Sequence, residues 1–428
     1  MATSGGGDGG RILIIGASLA GMNAAQMLRR SGYQGTVTVV GEEHHRPYDR
    51  PPLSKEFLTG DLDLERIVLA PARRVDELDI ELLLGRRATA LDLDRSEVTT
   101  RSTGDDPGSR QQQLGYDGLI IATGSRARAL PDAVIEGRAV ALEGLFSLRN
   151  LGDAQRLKTS LSSGSEPVVI CGAGFIGGEV AASARTLGRE VILVEAADAP
   201  LTRVLDAEAG MVMADLHRRN GVDVRLSTTV EVVRHDGTRV VGVALSDGSE
   251  ITTSVIVVGI GAIPNTEWLQ DSGVSTDDGV AVDPWCRADT MVMAAGDVAR
   301  FPNARFGGMT MRIEQWDNAV EMGRFAAAGL LADLGLLDSD ATVSSGYAPV
   351  PWFWSDQYDC KIQLAGVRSD EAVMARGSVH DHQFVRLYHN GDTLCGVLAW
   401  NRPRQAIIGR QLIEQGSSVA DARERLGG

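Results

Sequence analysis

The sequence predicts an α/β protein with two parallel, helix-covered sheets and an α+β region at its C-terminal end. Three observations lead there. An apolar run, a glycine-rich turn and an Ala-rich helical stretch occur in that order twice, from Arg11 and from Pro167. Each is followed by a second apolar run, at residues 36–40 and 190–194, which completes a βαβ unit and so a parallel sheet. From about residue 340 aromatic residues and alternating runs take over, as expected of a half-buried antiparallel sheet.

A chain of 428 residues exceeds one ordinary domain. The expected division is a short disordered tail (1–10), a discontinuous nucleotide-binding domain (11–124 and 256–335), a second one (125–255) and a C-terminal α+β domain (336–428). Hydrophobic content of 43% suits a soluble globular protein with several cores. A net charge of −15 argues against nucleic acid, which needs a basic face. The first ten residues are small and Gly-rich, unlike a signal peptide, and stretches such as 255–264 are too short to span a bilayer. The reading is therefore cytoplasmic, with no membrane contact. The four cysteines, Cys171, Cys286, Cys360 and Cys395, have no metal-ligand spacing and read as small buried hydrophobes. No metal site is expected.

In order along the chain, the first helix is read over residues 22–30 and the second over 178–187. Residues 80–100 and 222–251 read as strand-rich, with hairpin turns at Asp236-Gly237 and Asp247-Gly248. Residues 101–113, with two glycines, a proline and three glutamines, read as an exposed loop. Two more strands end in glycine turns, at residues 118–124 and 255–261. In the C-terminal region residues 361–366, 383–388 and 394–398 alternate as strands, and a helix follows from about Arg404.

The first glycine turn is Gly16-x-Ser18-x-x-Gly21. Behind it the helix points its free N–H groups and positive dipole end at a pyrophosphate. Gly16 makes the tight turn, Gly21 allows helix and strand to meet, and Ser18 replaces the usual middle glycine. Taken alone, such a turn also serves plain packing. Glu42, just past the second strand, is placed to accept from an adenosine ribose. The second turn, Gly172-x-Gly174-x-x-Gly177, is complete, and Glu195 follows at the end of the next strand. That acid favours the free 2′-hydroxyl of NADH and repels a 2′-phosphate. Arg203 is the nearest basic residue after it and keeps NADPH as the alternative. In Ala295-Gly-Asp297 an Asp after a strand accepts from a ribitol hydroxyl or caps a helix.

Together these segments resemble the FAD/NAD(P) disulfide-oxidoreductase-like superfamily with its two Rossmann-like domains. Ala122-Thr-Gly124 and Val258-Gly-Ile-Gly-Ala-x-Pro-Asn265 belong to the same pattern. Arg46-Pro-Tyr-Asp-Arg-Pro-Pro-Leu-Ser-Lys55, Arg312-x-Glu-x-Trp-x-Asn-Ala319 and Pro351-x-Phe-Trp-Ser-Asp-Gln357 resemble, more narrowly, the ferredoxin reductases of Rieske dioxygenases and bacterial haem monooxygenases. Apoptosis-inducing flavoproteins share the Pro-Pro-Leu-Ser-Lys segment. The resemblance runs from about residue 11 to 410.

The resemblance implies that Gly16, Ser18, Ala20, Gly21, Glu42, Arg50, Lys55, Ala88, Thr123, Gly124, Arg126 and Asp297 hold FAD, with Gln315 and Trp316 near the isoalloxazine. It implies that Gly172, Gly174, Ile176, Gly177, Glu179, Glu195 and Gly261 hold NADH. Glu179, read on the first turn of its helix, would meet the nicotinamide carboxamide and pair with Lys55. Many relatives have His where this chain has Gln315. Chemistry supports Lys55 separately: a cation near flavin N5 stabilises the reduced, negative form. Here Lys55 is read as following an extended Pro-Pro and opening a helix capped by Ser54.

The implied cycle moves hydride from NADH to FAD and single electrons onward to an iron–sulfur ferredoxin, with Lys55, Glu179 and Trp316 as the residues nearest the chemistry. The cysteines weigh against rivals. Glutathione, lipoamide and thioredoxin reductases need a redox dithiol, and no suitable pair exists; a one-cysteine peroxidase or NADH oxidase needs a thiol beside the flavin in the first domain, and none precedes Cys171. A rubredoxin-type partner and a slow-turnover NADH sensor remain as alternatives, and the chain is expected to be a monomer or homodimer. An acidic chain meeting an acidic ferredoxin needs a local basic patch, for which Arg73, Arg74, Arg300, Arg305, Arg402 and Arg404 are candidates.

Overall fold

In the computed structural model, residues 10–104, 111–135, 142–337 and 346–427 are described. The tail expected over 1–10 thus lies almost wholly outside them. The chain divides into two compact units, one of residues 1–49, 67–126 and 263–351, the other of 50–66, 127–262 and 352–428.

The first unit is built on a six-stranded sheet. Its strands lie in the order Arg287–Asp289, Val292–Ala294, Gly118–Ile121, Arg11–Ile15, Thr36–Val40, Glu81–Leu83. Arg11–Ile15 pairs in parallel with both Thr36–Val40 and Gly118–Ile121. These strands are buried on both faces, so they read as continuous apolar runs rather than alternations. Helix Leu19–Arg30 covers the sheet beside helix Trp316–Asp333. The two helices come close because both are small at the contact. A Cβ on Gly323 would sit 2.4 Å from the carbonyl oxygen of Ala20.

An antiparallel sheet of Arg86–Asp92, Glu97–Ser102 and Gln111–Gly115 is appended. The last strand corrects the loop expected over 101–113. Gln111, Gln112 and Gln113 pair with Arg101, Thr100 and Thr99. An outer strand needs only its backbone ladder and tolerates polar side chains on both faces, so composition misled. Residues 105–110 of that expectation lie outside the described ones.

The second unit carries an all-parallel sheet in the order Asp223–Arg225, Val191–Val194, Val168–Cys171, Val255–Val258, Leu145–Ser147. Helix Phe175–Thr186 starts three residues before the predicted 178, just as Leu19–Arg30 starts before 22. The last glycine of each turn lies inside the first helical turn, which a low helix propensity disguises. The hairpins at Asp236-Gly237 and Asp247-Gly248 join strands Val230–His235, Val240–Leu245 and Glu250–Thr252.

The C-terminal sheet has five antiparallel strands, ordered Trp352–Gln357, Cys360–Gly366, Thr393–Trp400, Gln383–Asn390, Glu371–Ser378. Helices Pro403–Glu414 and Val419–Gly427 follow it. Phe353, Ile362, Phe384, Tyr388, Leu398 and Trp400 share a core with Val212, Met213 and Leu216 of helix Ala207–Arg219. Truncating one such buried aromatic side chain costs about 3–5 kcal/mol, so this core ties the sheet firmly to its unit. No helix among the described residues is long and apolar enough to cross a membrane.

Candidate functional site: two nucleotide turns and a buried ion pair

Both glycine turns sit where the parallel sheets predict, at the C-terminal end of a central strand. In the first, Gly16 has φ +124° and a Cβ there would fall 2.0 Å from the Ala122 carbonyl oxygen. A Cβ on Gly21 would fall 1.9 Å from the Gly16 carbonyl oxygen. Gly172 and Gly177 repeat this pattern, at 2.5 Å from the Gly259 oxygen and 1.9 Å from the Gly172 oxygen. These four glycines are demanded by the protein's own backbone.

Gly174 is different. A Cβ there would meet nothing nearer than the Gly259 oxygen at 3.8 Å. Internal packing does not require a glycine at this place, but close approach of a ligand to the backbone does. Ser18 is the counterpart in the first turn. Its φ of −128° is extended backbone that any residue adopts, so serine stands there without strain.

Neither helix is capped by a side chain at its N-terminus. Elsewhere in the chain caps are present: Asn150 and Asp153 form a capping box, and Asp206 accepts from the Ala209 N–H at 3.1 Å. The two nucleotide helices thus leave their first-turn N–H groups and positive dipole ends for an anion. A pyrophosphate fits both turns.

The two acids expected on the ribose side differ. Glu195 accepts from the N–H groups of Ala173 at 2.7 Å and Ala197 at 2.9 Å, so the second turn itself orients the carboxylate. Glu42 is half-exposed and paired with Arg87, a residue that sequence reasoning passed over. Ala88 neighbours that arginine and is buried in its strand.

Thr123 Oγ donates to the Asn265 carbonyl at 2.8 Å, and Asn265 returns a bond from Nδ2 to the Thr123 carbonyl at 2.9 Å. Gly124 accepts from the Asn265 N–H. The two glycine-ended segments of the resemblance are thereby joined. Arg126 binds Glu267 at 2.5 Å and the Asn265 side chain at 3.2 Å. Asp297 accepts from Ser125 Oγ at 3.1 Å, and its carbonyl accepts from Arg312. It lies in a single 3-10 turn, Gly296–Val298, that runs into a strand, so the helix-cap alternative does not hold. Gln315 precedes helix Trp316–Asp333 without capping it. Trp316 is partly exposed, and its indole Nε1 donates to Asp49 at 2.7 Å. Asp49 belongs to the Arg-Pro-Tyr-Asp-Arg segment and was not singled out from sequence.

In the second unit Arg50 donates to the Arg149 carbonyl at 2.5 Å. Pro51–Ser54 forms a 3-10 helix, not an extended run, because proline's φ suits a first helical turn equally well. Ser54 does not cap the short helix Glu56–Thr59. Its hydroxyl goes instead to the Glu179 carboxylate at 2.5 Å, a charge-assisted bond that outweighs a cap. Glu179 itself lies one turn deeper than expected, at the fifth residue of Phe175–Thr186. Lys55 Nζ stands 2.9 Å from its Oε1, as the resemblance implied, with side-chain exposures of 14% and 5%. Ser355 Oγ donates to the same oxygen at 2.7 Å. Ser355 lies on the buried face of strand Trp352–Gln357, between Phe353 and Gln357. Ile176 is exposed on the first turn of the helix. Gly261 is open, with the Arg128 and Arg203 guanidinium groups about 4 Å from where its Cβ would stand (3.9 and 4.0 Å).

All four cysteines are free and buried, and burial pushes the Cys171 thiol up to about 12. The described residues hold no cluster of metal-ligating side chains. Of the basic-patch candidates, Arg74 pairs with Glu77, Arg300 with Asp277, and Arg305 with the Ala348 carbonyl.

Two sheets, one wholly parallel and one parallel but for its edge strand Arg287–Asp289, each with a glycine turn shaped for a pyrophosphate, define a protein that binds two dinucleotides. Residues 10–323 match the family model of the pyridine nucleotide-disulphide oxidoreductases, and residues 352–425 that of the reductase C-terminal domain. The chain belongs to the pyridine nucleotide-disulphide oxidoreductase family. It is 38% identical to rhodocoxin reductase of Rhodococcus erythropolis, over 94% of this chain and 89% of that one. It is 35% identical to the ferredoxin–NAD(+) reductase component of the p-cumate 2,3-dioxygenase system of Pseudomonas putida, covering 97% and 96%. Among solved structures, the covalent putidaredoxin reductase–putidaredoxin complex matches with a TM-score of 0.85 at 32% identity, over 95% and 93% of the chains.

Proposed function

We propose that the chain is an NADH-dependent reductase that passes electrons, through FAD, to a ferredoxin serving an oxygenase. The first unit binds FAD around Gly16, Ser18 and Asp297. The second binds NADH around Gly174 and Glu195. One observation carries the reading: two nucleotide turns share a chain whose four thiols are all buried and unpaired. Electrons therefore have no dithiol to pass through. Relatives spanning nearly the full length carry ferredoxin reductase names, which supports the same partner class. A cytoplasmic location goes with it.

Bound FAD would supply the chemistry, taking up a hydride from the nicotinamide and giving its two electrons up one at a time, with the proton passing to solvent. The chain supplies placement and charge. Gly174 lets the pyrophosphate reach the helix N-terminus. Glu195, held by two N–H groups, reads the ribose and rejects a 2′-phosphate. Lys55 presents a cation, and Glu179 holds it in one direction. Trp316, held by Asp49, offers an aromatic face at the end of its helix. No side chain has to gain or lose a proton.

The test begins with an absorbance spectrum of the purified protein, followed by anaerobic NADH titration. Flavin bands bleached by about one equivalent, then fast cytochrome reduction on adding a ferredoxin, are the expected result. A flavin that NADH does not bleach overturns the hydride step. A protein that takes up no FAD overturns the whole reading.

A further inference from the structure

The Glu179 carboxylate joins three distant stretches of chain. Oε2 accepts from Ser54, and Oε1 accepts from Ser355 while facing Lys55. Ser355 is fully buried and Glu179 is 4% exposed. The direction of the Ser355 proton is decided by a fourth residue. Gln357 Nε2 donates to Ser355 Oγ at 3.0 Å, which occupies a lone pair and leaves the single hydroxyl proton for Glu179. Gly178 makes room for that amide, since a Cβ there would stand 2.9 Å from it. Two polar residues at inward positions of a buried strand are costly unless bonded, and apolar residues would pack there at least as well. Their use is therefore to be sought in the charge they face.

We propose that Ser355, oriented by Gln357, is a positioning residue through which the C-terminal sheet sets the charge that Lys55 presents to the flavin. The hydroxyl satisfies part of the carboxylate's charge. Glu179 then draws less on Lys55, whose ammonium keeps more of its field. Without the hydroxyl the whole carboxylate charge falls on Lys55. This deepens the flavin-reductase reading and rests on it.

The experiment uses the full-length, FAD-loaded protein and its Ser355→Ala, Ser355→Thr, Gln357→Leu and Glu179→Gln variants. The midpoint potential of the bound flavin is measured by spectroelectrochemistry, and its reduction by NADH by anaerobic stopped flow. Ser355→Ala is expected to lower the reduction equilibrium about tenfold, the effect of one hydrogen bond to a charged group. That is about 30 mV for a two-electron couple. The limiting reduction rate falls with it while NADH affinity holds, and Ser355→Thr restores both. Gln357→Leu shifts the potential the same way by less. If Ser355→Ala folds, binds FAD and keeps the parent potential, the proposal fails. If it does not fold, an unshifted Gln357→Leu overturns the proposal. Glu179→Gln separates the two levels. If it shifts the potential while the Ser355 and Gln357 variants do not, only the positioning role is lost. If it too leaves the potential unchanged, the flavin-site reading of the pair is lost with it.

Discussion

Replacing Lys55 with Met keeps the length of the side chain and removes its charge. The pair it breaks is buried, with Nζ 2.9 Å from Oε1 and exposures of 14% and 5%. At an effective dielectric constant near 20, the gross attraction at that distance is about 6 kcal/mol. Taking both ions out of water offsets most of it. The single variant is a different matter, because it leaves a buried carboxylate without its cation. Losses of about 3–5 kcal/mol are usual for that. Glu179 keeps two hydroxyl donors, Ser54 and Ser355, so the lower end, about 3 kcal/mol, is expected here. Adding Glu179→Leu removes the stranded charge, and the double variant should lie within about 1 kcal/mol of the parent. The assay is urea unfolding of the apoprotein, followed by the tryptophans of the C-terminal sheet, for all four members of the cycle. Lys55→Met and the double variant should lose flavin reduction alike although their stabilities differ, which separates stability from chemistry. A Lys55→Met variant destabilised by less than about 1 kcal/mol, or a cycle with no coupling, would refute the buried pair as drawn.

Three further outcomes follow from the same geometry. Gly174→Ala should raise the NADH dissociation constant at least about tenfold and cost less than about 1 kcal/mol of stability, because the new Cβ meets only ligand space. Gly177→Ala should instead cost more than about 2 kcal/mol, since its Cβ collides with the turn; equal stability losses in the two variants would sink the contrast. Glu195→Arg removes the acceptor of two turn N–H groups and should weaken NADH while improving NADPH; steady-state kinetics with both nucleotides decide, and an unchanged preference means another residue reads the ribose. His217 is buried beside the Tyr358 hydroxyl, 2.9 Å away, and burial lowers its pKa from 6.5 to about 4, with Gln357 opposing. The unfolded chain takes up this proton near 6.5 and the folded chain only near 4. Stability is therefore lost as pH falls through that window, by at most about 3 kcal/mol. His217→Gln should flatten the acid limb of an unfolding-versus-pH series, and an unaltered limb would contradict the assignment.

The parts of this fold legible in sequence are those that obey local rules. Arg11–Ile15, Thr36–Val40 and Val168–Cys171 are covered on both faces, so continuous apolar runs are their only signature, and the glycine turns behind them announce the parallel sheets. The glycines at 16, 21, 172 and 177 are required by backbone within the same turn or the adjacent strand. The errors have the opposite origin. Gln111–Gly115 is a strand only because Glu97–Ser102 is there to pair with it. Ser54 looks like a cap until Glu179, 125 residues away, accepts its hydroxyl's hydrogen bond. Trp316 and Asp49 are 267 residues apart.

The same division runs through the candidate site. The glycine turns, and Glu195 beside the second of them, could be read from spacing. Lys55 and Glu179 came together only through resemblance, because no local pattern marks an ion pair that spans the chain. Ser355 and Gln357 left a weaker signal that was available: two polar residues at alternate positions beside Phe353, in a strand whose inward face is otherwise apolar. A polar residue placed where the pleat points into a core needs a partner, and the partner here is the one buried carboxylate of the nucleotide helix. Inward polar positions on an otherwise apolar strand are thus the place to look for residues that act on a site through another residue.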